Sequence, residues 1–176
     1  MLTWRLVLAS LVTALAVATA SSQPARDPTL KTGPFKDYHR WVRMNATPIF
    51  SATHGNSFVV TYVNPTGLPA ARAGKFPFPA GSAIVKEAFE NQECRPGRQG
   101  AVFVMEKREA GYDPEGNDWH WVRYNPDGTL WGEGKSGGPM DFCRACHSVA
   151  RINDFVFGNG TSMKVSPTMP PTPCAK

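Results

Sequence analysis

The chain has 176 residues, of which 41% are hydrophobic, 19% charged and 11% aromatic. This composition is typical of one globular domain and excludes a long disordered protein. Sixteen glycines and sixteen prolines predict many turns but are too few for a low-complexity or collagen-like chain. The net charge of +5 comes from scattered basic residues, which excludes the basic stripe of a nucleic-acid-binding protein, and no internal repeat indicates a solenoid or propeller.

The two ends of the chain differ from its centre. Arg5 precedes an apolar run from Leu6 to Ala18, and the small residues at 18–20 form a signal-peptidase site. This run is shorter than the roughly 20 residues that span a bilayer, so we expect cleavage and a periplasmic or secreted protein, with an uncleaved anchor as the alternative. The sequence therefore predicts four parts: a signal peptide at 1–20, a flexible lead-in at 21–31, a folded domain at 32–165 and a proline-rich tail at 166–176.

The folded domain is predicted to contain mostly strands. Tyr38, Trp41 and Val42 follow helical spacing and predict a short amphipathic helix over 37–44. Stretches rich in β-branched and aromatic residues predict four strands, at 57–64, 82–89, 101–108 and 118–124, and a turn at 125–128 predicts a short return strand at 129–131. A last helix is predicted to begin near Asp141 or Phe142 and to carry Cys143 to Ile152. The expected fold class is α+β, with a mainly antiparallel sheet, short helices and the last helix packed on the sheet.

One cysteine motif carries the chemistry of this sequence. Cys143, Cys146 and His147 form a CxxCH motif, which is the attachment sequence for c-type haem. Two thiols on one helical turn can each form a thioether with a haem vinyl group, while the adjacent imidazole binds the iron from the proximal side. A zinc site would need two further closely spaced ligands, and a thioredoxin-like motif would need a βαβ unit. One covalent haem c per chain is therefore predicted, with His147 as the proximal iron ligand.

The ligand on the other side of the iron is left open by the sequence. A methionine or histidine there indicates electron transfer, whereas an open position indicates ligand binding or chemistry at iron. The candidates are Met44, Met105, Met140, His54 and His120. The spacing of these residues does not choose among them.

Two cysteines remain outside the motif. Cys94 falls in a predicted loop at 93–100, and Cys174 lies near the C-terminus. Leftover cysteines in an exported protein commonly pair, so we predict a Cys94–Cys174 disulfide, with two free or intermolecular thiols as the alternative.

The order of several short segments resembles that of the cytochrome P-460 family. These segments, which span about residues 36–157, are Trp41 with Met44, His54-Gly55, Thr61–Pro65, Gly81–Glu87, the CxxCH motif and Asp154–Phe157. The resemblance implies a mostly antiparallel β fold, a homodimer and a five-coordinate haem c with an extra covalent bond to a lysine, which matches Lys86. Members of the family oxidise hydroxylamine or bind and convert nitric oxide. The related cytochromes c′-β keep the fold but lack the lysine bond.

Lys86 itself lies in a predicted strand. Strand alternation places Lys86 on one face with Ile84 and Ala88, and Val85, Glu87 and Phe89 on the other. A lysine on an apolar face loses solvation, which lowers its pKa and makes the neutral amine a nucleophile. The alternative is a lysine that reaches water or pairs with Glu87 or Glu90.

The predicted function follows from the motif and the resemblance. We expect an exported haem oxidoreductase that acts on hydroxylamine or nitric oxide and passes electrons to a partner such as a soluble cytochrome. Hydroxylamine oxidation needs a distal base, for which the candidates are Glu133, Asp141, His54 and His120. The alternatives are a nitric oxide-binding protein that is not an enzyme, and an electron carrier.

Overall fold

The structure, a computed structural model, describes Leu30 and residues 33–157. The predicted signal peptide and the proline-rich tail lie outside the described residues. The described residues form seven strands: β1 (Val42–Arg43), β2 (Ile49–Ser51), β3 (Ser57–Val63), β4 (Ala83–Gln92), β5 (Arg95–Lys107), β6 (Trp119–Tyr124) and β7 (Leu130–Gly134). The described helices are α1 (Leu68–Ala73), α2 (Asp141–His147) and four 3₁₀ segments at Tyr38–Arg40, Ala52–His54, Pro114–Gly116 and Ser148–Asn153.

The strands form one antiparallel sheet in the order β1-β3-β4-β5-β6-β7, with β2 also paired to β3. Four strands of the sheet are the ones predicted from β-branched and aromatic residues, and β7 extends the predicted return strand. The expected α+β fold with a mainly antiparallel sheet and few short helices is confirmed. No helix in the described part of the chain is long and apolar enough to cross a membrane.

The two faces of the sheet pack against different parts of the chain. On one face, Ile84, Met105 and Trp121 join a core with Met140 and Phe155, which flank α2 in sequence. On the other face, a second core contains Val85, Val104 and Val122 together with Leu30, Phe35 and Tyr38 from the N-terminal segment. Alternate residues of β4, β5 and β6 therefore face the helix that carries the CxxCH motif.

Several predicted elements differ from the structure. The predicted helix over 37–44 is wrong, because only Tyr38–Arg40 forms a 3₁₀ turn and Val42–Arg43 pairs with β3. The last helix ends at His147 and continues as a 3₁₀ segment. The predicted loop at 93–100 is also wrong: only Glu93 and Cys94 form the turn, both with positive φ as a two-residue hairpin favours, and β5 begins at Arg95.

Candidate functional site

Helix α2 brings the residues of the CxxCH motif together. Cys143 is half-buried and packs against the core, while Cys146, three residues later, is exposed. Residues three apart are neighbours on a helix surface, so both thiols belong to one side of α2. Burial raises the pKa of the Cys143 thiol to about 11, so this group is protonated at neutral pH.

His147 ends α2 with its ring buried beneath the sheet. Its Nδ1 lies 2.8 Å from the carbonyl oxygen of Phe155 and therefore donates a hydrogen bond to it. Its ring meets Trp121 and Phe157 edge to face, with centroids 4.9 and 4.8 Å away. Burial, followed by the charge of Lys86, lowers the pKa of His147 to about 4. The neutral ring thus carries its proton on Nδ1, which leaves the Nε2 lone pair available to a metal.

A buried ion pair holds the carbonyl group that orients His147. Lys107 Nζ lies 2.7 and 2.9 Å from the two carboxylate oxygens of Asp154. The backbone N–H of Phe78 also donates to this carboxylate at 2.7 Å, and Trp119 Nε1 donates to the Asp154 carbonyl at 2.8 Å. Asp154 and Phe155 both have positive φ, at 56° and 62°. We infer that these contacts fix the strained backbone that presents the Phe155 oxygen to His147.

Lys86 lies on the same face of the sheet as α2. Its cross-strand partners are Thr61 on β3 and Phe103 on β5. Phe103 in turn is opposite Arg123 on β6, and Arg123 is opposite Gly132 on β7. Partners directly opposite each other in a sheet share one face. Burial lowers the pKa of the Lys86 amine to about 8, so part of it is neutral and nucleophilic at neutral pH.

Arg123 and Trp121 are site residues that the sequence reasoning missed. The Arg123 guanidinium lies 4.4 Å from the centroid of the Trp131 ring. Arg123 Nε and Trp121 Nε1 are buried, and neither has a hydrogen-bond partner among the described residues. The alternation of side chains along a strand could have indicated them, because residues 119, 121 and 123 lie on the same face. The Trp121 ring contacts His147, and Arg123 is opposite Phe103, the cross-strand partner of Lys86. Two unpartnered donors on this face indicate that a ligand with acceptor atoms belongs here.

His54 also reaches this site, from the end of the 3₁₀ segment at 52–54. Its ring meets Phe103 edge to face at 5.0 Å and lies perpendicular to the His147 ring at a centroid distance of 6.3 Å. Its Nδ1 lies 2.7 Å from Ser51 Oγ. Burial, then the charge of Lys86, lowers the pKa of His54 to about 2.

The other candidate bases lie elsewhere. Glu133 is opposite Val122, which packs on the far face of the sheet, and it bonds His120 Nε2 at 3.2 Å. The other nitrogen of His120 is occupied by the Tyr112 hydroxyl at 2.7 Å. Asp141 begins α2 and accepts a hydrogen bond from Arg144 at 2.6 Å. Of the four proposed bases, the structure therefore brings only His54 beside Lys86 and His147.

The three candidate methionine ligands pack in the core. Met105 and Met140 are buried members of the core that includes Trp121, and Met44 packs against this core from its edge. Cys94 is disulfide-bonded, while its predicted partner, Cys174, lies outside the described residues.

Glu87, the neighbour of Lys86, faces the opposite side of the sheet. This buried carboxylate accepts hydrogen bonds from Tyr38 at 3.0 Å and from Gln99, and it lies 3.3 Å from His39 Nε2 and 3.5 Å from the Tyr62 hydroxyl. Glu90, the other acidic residue considered for Lys86, pairs with Arg98 instead. Burial alone would raise the pKa of Glu87, but the hydrogen bonds from His39, Gln99 and Tyr38 outweigh burial and lower it.

This network predicts an acid-dependent loss of stability. A carboxyl group with a lowered pKa stabilises the fold above its ordinary pKa of 4.5, and this contribution disappears as the pH falls through the folded value. Glu87→Gln is expected to cost about 2 kcal/mol at pH 7 and to flatten the loss of stability below about pH 5. Urea unfolding at several pH values measures both effects, with exposed Glu90→Gln as the control. Parallel acid curves for wild type and Glu87→Gln would contradict this assignment.

Comparison with known proteins agrees with the motif and the sheet. The family model described as Cytochrome P460 matches residues 35–158. This range contains the whole sheet, Lys86, His54 and the CxxCH motif. No curated protein is similar enough to count as a match.

Proposed function

The chain belongs to the cytochrome P460 family, and from this premise we propose that it is an exported haem c oxidoreductase acting on hydroxylamine or nitric oxide. Membership makes the protein a haem-binding cytochrome linked to redox activity. We further propose one covalent haem per chain, a homodimer, a periplasmic or secreted location and a soluble cytochrome as electron acceptor. The observation that carries the proposal is the meeting of α2, Lys86 and His54 on one face of the sheet.

The residues present fit a haem group. Two thiols on one side of α2 would hold its vinyl positions, and His147 Nε2, which has no hydrogen-bond partner among the residues that the structure describes, is suited to bind iron. Arg123 and Trp121 provide buried donors for acceptor atoms such as carboxylates at the edge of the group. When bound, the haem supplies an iron that binds the nitrogen of a small substrate and takes up electrons.

Lys86 is proposed to form a third covalent bond to the haem. Lys86 is on the same face of the sheet as α2, burial lowers the pKa of its amine, and no salt bridge in residues 33–157 keeps it protonated. Formation of the N–C bond breaks one N–H and one ring C–H bond and releases two protons and two electrons. Hydrogen peroxide takes up two protons and two electrons to give two molecules of water, so we name hydrogen peroxide as the oxidant.

A second candidate function is nitric oxide binding without turnover. The acidic candidates for a distal base lie away from the site, since Glu133 is on the far face and Asp141 is paired with Arg144. Phe103 instead gives this side an apolar surface beside His54. An iron with apolar surroundings favours binding of an uncharged gas, whereas oxidation of hydroxylamine requires a group that removes protons.

The haem attachment is tested by replacing both thiols. Cys143→Ala with Cys146→Ala is expected to release haem into acidified acetone, whereas wild type retains it. His147→Ala is the companion variant, expected to keep haem attached while changing the iron spectrum. Haem that stays on the double variant after extraction would contradict attachment at the CxxCH motif.

A further inference from the structure

Exposed apolar side chains are concentrated on one side of the segment that carries the CxxCH motif. Val149 is 79% exposed and Ile152 is 88% exposed, which makes them the most exposed large apolar residues in the described part of the chain. Phe142 is 52% exposed, and Cys146 is exposed as well. Neighbouring apolar side chains that remain in water indicate a surface that contacts another molecule.

Helical spacing joins these four residues into one stripe. Phe142, Cys146 and Val149 are four and three residues apart, so they follow one side of α2 and of the helical turn that continues it. Ile152 follows Val149 by one turn of the 3₁₀ segment, in which side chains three residues apart are aligned. Phe142, Cys146, Val149 and Ile152 are called the α2 stripe below.

Cys146 places one edge of the proposed haem beside the α2 stripe. Cys143 packs against the core and His147 is buried, whereas Cys146 is exposed. A haem joined to the Cys146 thiol therefore has its attachment point at the surface of the protein. Because electron transfer weakens steeply with distance, a protein docked on the α2 stripe would exchange electrons with this haem over a short path.

The size of the α2 stripe favours a transient partner over a second copy of this chain. Its side chains expose on the order of 400 Å² of apolar surface, which is the size of a patch that is often functional in a monomeric protein. A stable interface buries about 800 Å² on each partner, while electron-transfer encounters are among the smallest specific contacts. The homodimer proposed above needs a larger surface than this stripe.

The charges beside the α2 stripe indicate which surface the partner presents. Arg144 pairs with Asp141 at 2.6 Å, so these two charges cancel. Arg151 is exposed and forms no salt bridge within residues 33–157. An apolar face with an acidic residue at its rim complements an apolar stripe that has a positive charge beside it.

We propose that the α2 stripe is the docking surface for a soluble electron-transfer protein whose own docking face is apolar with an acidic rim. This inference rests on the proposed haem function and adds where electrons leave the protein and what kind of partner takes them. In each encounter the ferrous iron is oxidised to ferric, the acceptor is reduced by the same single electron, and no bond is formed or broken.

The rate of electron transfer to an acidic cytochrome tests this proposal without hydroxylamine. The holoprotein would be reduced with dithionite, freed of excess reductant and mixed with an oxidised soluble cytochrome c of low isoelectric point in a stopped-flow instrument. Val149→Ser with Ile152→Ser is expected to lower the second-order rate constant at least about fivefold, because the apolar contact is lost. Ferricyanide needs no docking face and is expected to oxidise this double variant as fast as wild type.

Two further variants sharpen the test. Leu130→Ser is the matched control, since Leu130 is 50% exposed but is opposite Tyr124, which packs against the core on the far face of the sheet. This control is expected to leave both rates unchanged. Arg151→Glu is expected to lower the rate with the acidic cytochrome about threefold at low ionic strength and to make this rate less sensitive to salt.

Four results would overturn the docking surface while leaving the proposed haem function intact. The first is an unchanged cytochrome rate in the double variant, and the second is an equal fall with ferricyanide, which would place the effect at the haem. The third is a wild-type protein that reduces ferricyanide but not the cytochrome. The fourth is a wild-type dimer that the double variant converts to monomers in analytical ultracentrifugation, because a second copy would then cover the stripe. A wild-type protein without haem would overturn the proposed function and this inference together.

Discussion

Lys86→Met is expected to leave haem on the two cysteines, to return an ordinary haem c spectrum and to lower hydroxylamine oxidation at least about tenfold, or ~1.4 kcal/mol. Methionine keeps the length and packing of the side chain but removes the amine that forms the third bond. A covalent bond to the ring alters the electron density at iron and holds the group against β4, so its loss changes both spectrum and reactivity. Nitric oxide binding needs only an accessible iron and is expected to persist.

The control for this variant is Lys75→Met, since Lys75 is exposed and follows α1. This variant is expected to match wild type in spectrum and rate. If the absorption spectra of Lys86→Met and wild type are the same, Lys86 is not bound to the haem. Nitric oxide binding without turnover is then the better supported function.

Asp154→Ala is expected to give the largest loss of stability, about 3–5 kcal/mol, because it leaves the buried charge of Lys107 without its partner. The side chains of Asp154 and Lys107 are only 1% and 8% exposed. The same change removes the acceptor for the backbone N–H of Phe78. It also frees the segment that presents the Phe155 oxygen, so the orientation of His147 and the iron spectrum are expected to change as well.

Urea unfolding of the holoprotein measures the loss, with Glu90→Ala as the control. Glu90 forms an ion pair with Arg98 at the surface, where such pairs contribute about 0–1 kcal/mol. Asp154→Asn keeps one acceptor oxygen and is expected to fall between wild type and Asp154→Ala. Equal stability of Asp154→Ala and Glu90→Ala would contradict the role given to this ion pair.

The sheet was predictable because its strands are long and rich in β-branched and aromatic residues. The segments around Val59, Val85, Val104 and Trp121 all became strands. The helix predicted over 37–44 was wrong because the spacing of Tyr38, Trp41 and Val42 fits a helix face and equally fits a turn followed by an edge strand. The strand β2 and the helix α1 were missed because each is short, and tertiary packing decides such segments more than local propensity does.

The site residues could be predicted only where they are close together in the sequence. The CxxCH motif lies within one turn of helix, and Lys86 was identified through a family resemblance. The position of Glu133 depends on strand register, which the sequence does not specify. Glu133 pairs with Val122 and therefore lies on the face of the sheet away from Lys86. A shift in register of one residue would place it on the same face as Lys86. The meeting of His54 with His147 joins residues 93 positions apart (147 − 54), which no local pattern encodes.

Mass spectrometry of the haem peptides shows directly whether Lys86 is bonded to the haem. The holoprotein would be digested with a protease that does not cleave at lysine, and the peptides that carry haem absorbance would be sequenced. We expect one haem joined both to the peptide with Cys143 and Cys146 and to the peptide with Lys86. A free, unmodified Lys86 peptide beside haem bound only to the cysteine peptide would contradict it.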